Sequence, residues 1–248
     1  MSLIKPFHGL RPVAGRADDV VAPPYDVVDR AEAKALAENR PWSFLHISRP
    51  EIDLPDATGP YDPAVYAKGR ENLDRMVAEG VLAREDRPCY YAYRLTMGEH
   101  IQTGIVATAS VEAYDRNRVR KHEFTRPVKE DDRVRQIDTL NAQTGPVFLV
   151  YAADPVVDGV LREVSAGQAD MDVTAERDGV VDAGAINSPV GSNAGNVGDV
   201  AGALGARSVH QPRGIQVVHV ELGAFGIQHI ALVAQDLVHA LTYRRVEN

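Results

Sequence analysis

The sequence predicts a fold of the α+β or mixed α/β class: a mixed sheet with a β-hairpin and packed helices, followed by a poorly structured Gly/Ala-rich C-terminal tail. Three observations predict it. Segments of helical and strand character alternate up to about residue 178, two strand-like segments meet at Gly98-Glu99 with hairpin spacing, and the composition changes beyond residue 178. Residues 176–248 hold 10 of the 20 glycines, none of the five lysines and 12 charged residues in 73, against 50 in 175 before them. This change divides the chain into a mixed α/β domain over 1–180 and an atypical tail over 181–248.

Asp29 with Glu32 forms a capping-box pattern that starts a helix running to about Asn39, where Pro41 stops it. Trp42 to Ser48 reads as a buried strand. Asp62-Pro63 is a cap followed by proline at the first helical position. Val65, Tyr66, Leu73, Met76 and Val77 then form an apolar stripe that ends at Gly80. Cys89 to Met97 and Ile101 to Val111 are the two arms of the hairpin, and a short strand lies around Val119. Val134, Ile137 and Leu140 recur beneath a charged face, giving a helix from Lys129 to about Gln143. Val147 to Tyr151 is a strand and Val156 to Val164 a further helix. Beyond these, Ala183 to Gly205 reads as flexible, and Phe225 to Val246 shows helical, amphipathic spacing.

The net charge of -8 disfavours a broad electrostatic grip on nucleic acid or on an anionic membrane. The single cysteine, Cys89, excludes an internal disulfide and multi-cysteine metal sites and fits a reducing compartment. The first residues lack the pattern of a signal peptide, and no run of about 18 apolar residues occurs, so the expectation is a cytoplasmic protein without a membrane partner. Gly191, Gly195, Gly198, Gly202 and Gly205 do not form a nucleotide loop, and His219, His229 and His239 lie at a spacing that does not make a metal site.

The densest polar run is Lys121 to Arg133. Arg126, Lys129 and Arg133 are the groups that would hold a phosphate or carboxylate, while Glu123 or His122 moves a proton. The same run also reads as a solvated helix start, with Glu130, Asp131 and Asp132 answering the helix dipole. Ala22-Pro23-Pro24-Tyr25-Asp26 is either the lining of a cleft, with Tyr25 and Asp26 at the end of a fixed backbone, or a rigid connector. Asn141, Gln143 and Thr144 lie between a helix and a strand, where Gly145 reads as the helix-end residue. They serve either that junction or a ligand. Cys89 between Pro88 and Tyr90 reads as core.

Five ordered motifs carry a resemblance. They are Ile4-Lys5-Pro6-Phe7 with Gly9-Leu10-Arg11-Pro12, Ala22 to Val28, Ser43 to Glu51, Lys121-His122-Glu123 with Thr125-Arg126 and Lys129 to Arg133, and Asn141 to Pro146. Together they resemble the bacterial and archaeal family called domain of unknown function 1015, over residues 4 to about 180. Longer members of that family carry an Ala-Asp-Gly-His-His-Arg motif similar to the phosphate-gripping segment of ParB-like and sulfiredoxin-like proteins. That likeness implies a nucleotide, with magnesium by the same analogy, or a phosphorylated metabolite as ligand. The motif is absent from this sequence. The family continues after its Asp-Gly-Val with histidine and then tryptophan, whereas Val180 is followed by Val181-Asp182-Ala183. The resemblance and the composition break off together. A disturbed reading frame or truncated gene from about residue 181 produces that pattern, and a divergent genuine tail is the alternative.

The resulting expectation is a protein that binds a nucleotide or small anionic metabolite and, when intact, transfers phosphoryl groups, impaired in this chain. Arg126, Lys129, Arg133, Tyr25, Asp26 and Asn141 would form the binding side, with Glu123, His122 and Asp131 as catalytic groups. The alternative is a non-catalytic regulatory or protein-interaction module that docks through the charged helix.

Overall fold

A computed structural model describes residues 3–97, 100–121, 126–151, 153–177, 180–190, 215–217 and 230–233. In chain order the elements are β1 (Ile4–Lys5), β2 (Leu10–Pro12), α1 (Ala17–Val20), α2 (Arg30–Ala37), α3 (Leu45–Ser48), a 3-10 turn (Pro50–Asp53), α4 (Pro63–Ala78), β3 (Leu82–Arg84), β4 (Tyr90–Met97) and β5 (His100–Ala109). There follow α5 (Val111–Asp115), β6 (Val119–Lys121), α6 (Pro127–Leu140), β7 (Val147–Val150), α7 (Pro155–Ser165), β8 (Met171–Arg177), β9 (Val180–Val190), β10 (Ile215–Val217) and β11 (Ile230–Val233). They fall into two compact units. The first comprises residues 1–9, 85–125 and 145–248, and the second 10–84 and 126–144. The mixed α+β class expected from the sequence is what is found.

The first unit is a mixed sheet in the order β6-β10-β7-β11-β5-β4-β9-β8, with β1 also paired to β5. β10 runs parallel to β6 and β11 parallel to β5, whereas the hairpin of β4 and β5 is antiparallel, with Met97 opposite His100. Tyr90, Ala92, Ile105, Ala107 and Leu149 form its core together with Val157, Val160 and Leu161 of α7. That helix starts where the Asp154 carboxylate accepts the Val156 N–H at 2.9 Å, with Pro155 at its first position. The first sequence motif is explained within this unit. The backbone N–H of Gly9 donates to the Tyr91 hydroxyl at 2.8 Å, and Phe7 meets the Tyr91 ring edge-on at 5.2 Å. A Cβ on Gly9 would lie 2.5 Å from that hydroxyl, so the motif needs a residue without a side chain there.

The second unit is helical, with β2 and β3 as a small antiparallel pair. Val20, Ile47, Leu73, Met76, Val81, Leu82 and Leu140 form one core, and Val28, Ala33, Ala37, Leu45 and Ile52 another. The capping box at α2 is complete: Asp29 accepts the Glu32 N–H at 2.9 Å and Glu32 accepts the Asp29 N–H at 2.8 Å. Asp62 caps α4 as its sequence predicts, accepting the Ala64 N–H at 2.9 Å.

Several expectations are corrected. Trp42 to Ser48 contains α3 and no strand. Ser43, Leu45 and Ile47 are buried at alternate positions, as in a strand, yet the N–H groups of Ile47 and Ser48 donate back to Phe44 O. A short apolar run does not distinguish the two periods. Val77 is 45% exposed, outside the buried stripe of α4, while Gly69 and Asn72 lie within it. Asn141, at φ 47, is the left-handed cap of α6 in place of Gly145, because the helix ends at Leu140. Residues 183–190, expected to be flexible, belong to β9, which pairs with both β4 and β8. Backbone pairing accommodates the small residues there. Ile230 to Val233, expected to be helical, form β11 between β5 and β7. The rest of 225–246, the remainder of 191–205, and His219, His229 and His239 lie outside the described residues.

Candidate functional site

The site lies wholly in the second unit. Tyr25, Ser48, Arg49, Glu51, Tyr66 and four residues of α6 line a cleft with about 460 Å³ of open space, part of it continuous with solvent. The four are Lys129, Asp132, Arg133 and Gln136. Their spacing of i, i+3, i+4 and i+7 puts them on one helical face, a pattern that apolar residues usually occupy. The prolines before Tyr25 carry an extended segment into a turn, closed by the Val27 N–H donating to Pro24 O at 3.3 Å. Arg49 lies at the junction of α3 and the 3-10 turn, where Pro50 occupies the first position.

Two ion pairs organise the walls. Asp132, 7% exposed, accepts the Tyr66 hydroxyl at 2.9 Å on one oxygen and Arg133 Nη2 at 2.8 Å on the other. Glu51, equally buried, lies 2.9 Å from Arg49 Nε. The Arg133 guanidinium also stacks over the Tyr25 ring, 4.1 Å from its centroid. Arg49 Nη1 approaches Tyr25 O at 3.4 Å, so both arginines bear on the Pro-Pro-Tyr segment.

Burial, reinforced by the hydrogen bond and charge of Asp132, pushes the Tyr66 hydroxyl up to about 12. Burial also raises Tyr25. The Arg133 charge opposes this, Asp26 and Asp132 reinforce it, and the net direction is upward. Both tyrosines are therefore neutral near pH 7 and offer no base. The cleft can bind and orient a ligand through charge and hydrogen bonds. Four buried polar atoms of its walls have no hydrogen-bond partner among the described residues; Arg49 Nε keeps its ion pair with Glu51, which leaves Ser48 Oγ, Arg133 Nε and Gln136 Oε1.

Of the residues singled out in the sequence, Tyr25, Lys129 and Arg133 are brought together here. Arg126, the N-cap of α6, is exposed and does not line the cleft; neither do Asp26, Asp131 and Asn141, all exposed. His122 and Glu123 lie outside the described residues. Sequence reasoning missed Ser48, Arg49, Glu51, Tyr66, Asp132 and Gln136 as site residues. The helical spacing of polar residues from Lys129 to Gln136 was the available signal for two of them. Tyr66 gave none, since it sits in the apolar stripe of α4. Among the described residues no three His, Cys, Asp or Glu side chains are grouped to hold a metal ion, and no helix is long and apolar enough to cross a membrane.

The second unit is thus a helical scaffold around a polar, charge-paired cleft. The chain belongs to the family described as protein of unknown function DUF1015, whose model matches residues 4–189. That span includes the whole cleft and extends beyond residue 180, where the recognisable motifs end, into β9. No curated protein and no solved structure matches the chain, so the likeness to ParB-like and sulfiredoxin-like proteins has no support from these comparisons.

Proposed function

We propose that the cleft of the second unit binds a small anionic metabolite carrying a phosphate. One observation carries this reading: Lys129 lines the cleft with no ion-pair partner among the described residues, whereas Arg49 and Arg133 are balanced by Glu51 and Asp132. The walls therefore hold one uncompensated positive charge within a protein of net charge -8. The partly free Arg133 fork adds a donor of the geometry that phosphates favour. Phosphoryl transfer in the intact protein is the finer form of this proposal. Tyr25 and Tyr66, both neutral, do not take the proton-accepting role, and since Asp131 does not line the cleft we assign that role to Glu123 or His122.

Isothermal titration of the full chain with inorganic phosphate and with ribose 5-phosphate tests the binding claim. At least one ligand binds, and Lys129→Ala weakens it about tenfold at low salt without moving the melting temperature. Absence of binding by both ligands, or equal binding by the variant, overturns it.

A second reading, an interaction module docking on the start of α6, is favoured by one feature: Val128 is 58% exposed between the exposed Arg126 and Lys129. Val128→Asn separates the two readings, because it weakens docking without adding charge beside Lys129 and leaves ligand titration unchanged.

A further inference from the structure

The orphaned atoms of the cleft narrow the ligand, on the assumption that the anion-binding reading above holds. Gln136 is 3% exposed, and its Nε2 donates to Ile47 O at 3.0 Å. That bond fixes the amide orientation, so the unpartnered atom is Oε1, which can only accept. A fully ionised phosphate or carboxylate supplies no donor to it. A ligand hydroxyl does. Ser48 Oγ, also buried and unpartnered, can donate or accept, and Arg133 Nε donates. An acceptor and an ambivalent hydroxyl thus lie unpaired within the cleft wall, on residues that line it together with Lys129 and Arg133. Leaving such groups unpaired is costly, and a ligand with matching groups recovers that cost.

The wall chemistry points the same way. Tyr61, Tyr66, Val65 and Pro60 give part of the wall an apolar character suited to a carbon skeleton. The three orphaned atoms are covered, so a ligand reaches them after wall side chains swing aside. Tyr61, 39% exposed, and Lys129 are among the exposed side chains of that wall.

We propose that this cleft selects a phosphorylated polyol or sugar, holding its phosphate by Lys129 and Arg133 and its hydroxyls by Gln136 Oε1 and Ser48 Oγ. The experiment titrates the full chain with inorganic phosphate, glycerol 3-phosphate, ribose 5-phosphate, unphosphorylated ribose and adenosine diphosphate, in wild type, Gln136→Met and Ser48→Ala. In wild type, ribose 5-phosphate or glycerol 3-phosphate binds at least about tenfold more tightly than inorganic phosphate, and ribose alone binds far more weakly. Gln136→Met lowers that preference about tenfold while inorganic phosphate binding is kept. Ser48→Ala lowers it in the same sense and decides the matter if Gln136→Met fails to fold. Equal affinity for phosphate and the sugar phosphates overturns the inference but leaves the anion site standing. So does a preference that survives in every folded variant, or tighter binding of adenosine diphosphate than of ribose 5-phosphate. If no phosphorylated probe binds, the anion reading itself falls, and this inference with it.

Discussion

Arg30 holds together the segment behind the cleft. Its Nη1 donates to Asp56 O and Thr58 O, both at 3.1 Å, and its Nη2 to Glu51 O, Leu54 O and Pro55 O at 2.7, 2.9 and 3.0 Å. Two nitrogens of a planar fork thus gather five carbonyls around the 3-10 turn that carries Glu51. Arg30→Lys keeps the charge but supplies only a single ammonium group to this ring of carbonyls. It should lower stability by about 1.5–3 kcal/mol, read from urea unfolding. An unchanged midpoint would mean that the turn holds itself. Nothing in the sequence singled out Arg30, because its partners are backbone atoms 21 to 28 residues away. Asp132 escaped notice for a similar reason. Its carboxylate is satisfied by Tyr66, 66 residues distant, and by its own neighbour Arg133.

Among the elements, α4 and α6 owe their ends to local chemistry: Asp62 and Pro63 start one, Pro127 starts the other, and Asn141 in the left-handed region stops it. What they bury depends on each other. Gly69, in the middle of α4, is a poor helix residue kept for close packing. A Cβ there would lie 2.9 Å from Pro50 Cγ and 3.4 Å from both Ile47 O and Leu140 Cδ1. Gly69→Ala gains about 1 kcal/mol of helix propensity and incurs about 1–3 kcal/mol of overpacking, so the net change is destabilising. Because Pro50 also lines the cleft, the same variant should weaken ligand binding. A rise in melting temperature with unaltered binding would show that Pro50 gives way freely. The sequence pattern of α4 reveals its apolar face but not this contact, and the run from Trp42 to Ser48 reads as a strand because so short an apolar segment carries no decisive period.

At the scale of the whole molecule, acid sensitivity has an identifiable source. The Asp53 carboxylate meets His46 Nδ1 at 2.9 Å and accepts Asn72 Nδ2 at 2.8 Å, while His46 Nε2 faces Arg40 O at 3.1 Å. Both ring nitrogens thus face oxygen atoms. Burial alone would raise the Asp53 carboxyl. The bond and charge of His46, with help from Asn72 and Lys68, outweigh it and hold the group below its ordinary value of 3.8. A carboxyl lowered in the folded state contributes stability in full above its unfolded value, and loses it as pH falls through the folded value. Urea unfolding should therefore show wild type losing more stability than Asp53→Asn between pH 6 and pH 3. Parallel losses would remove Asp53 as the cause.

The mixed α+β class, the capping box of α2, the start of α4 and the hairpin are legible from the sequence, because they depend on period and on neighbours a few residues apart, and five ordered motifs carry the family. The sequence also singles out Tyr25, Lys129 and Arg133, which line the cleft. Only the tertiary structure decided that Ser48, Arg49, Glu51, Tyr66, Asp132 and Gln136 join them in one cleft, while Arg126, Asp26, Asp131 and Asn141 lie outside its lining. It also decided that β9 and β11 take their places in the sheet. Strand pairing and the satisfaction of buried charge are fixed by partners distant in the chain, and a local pattern carries no record of which partner arrives.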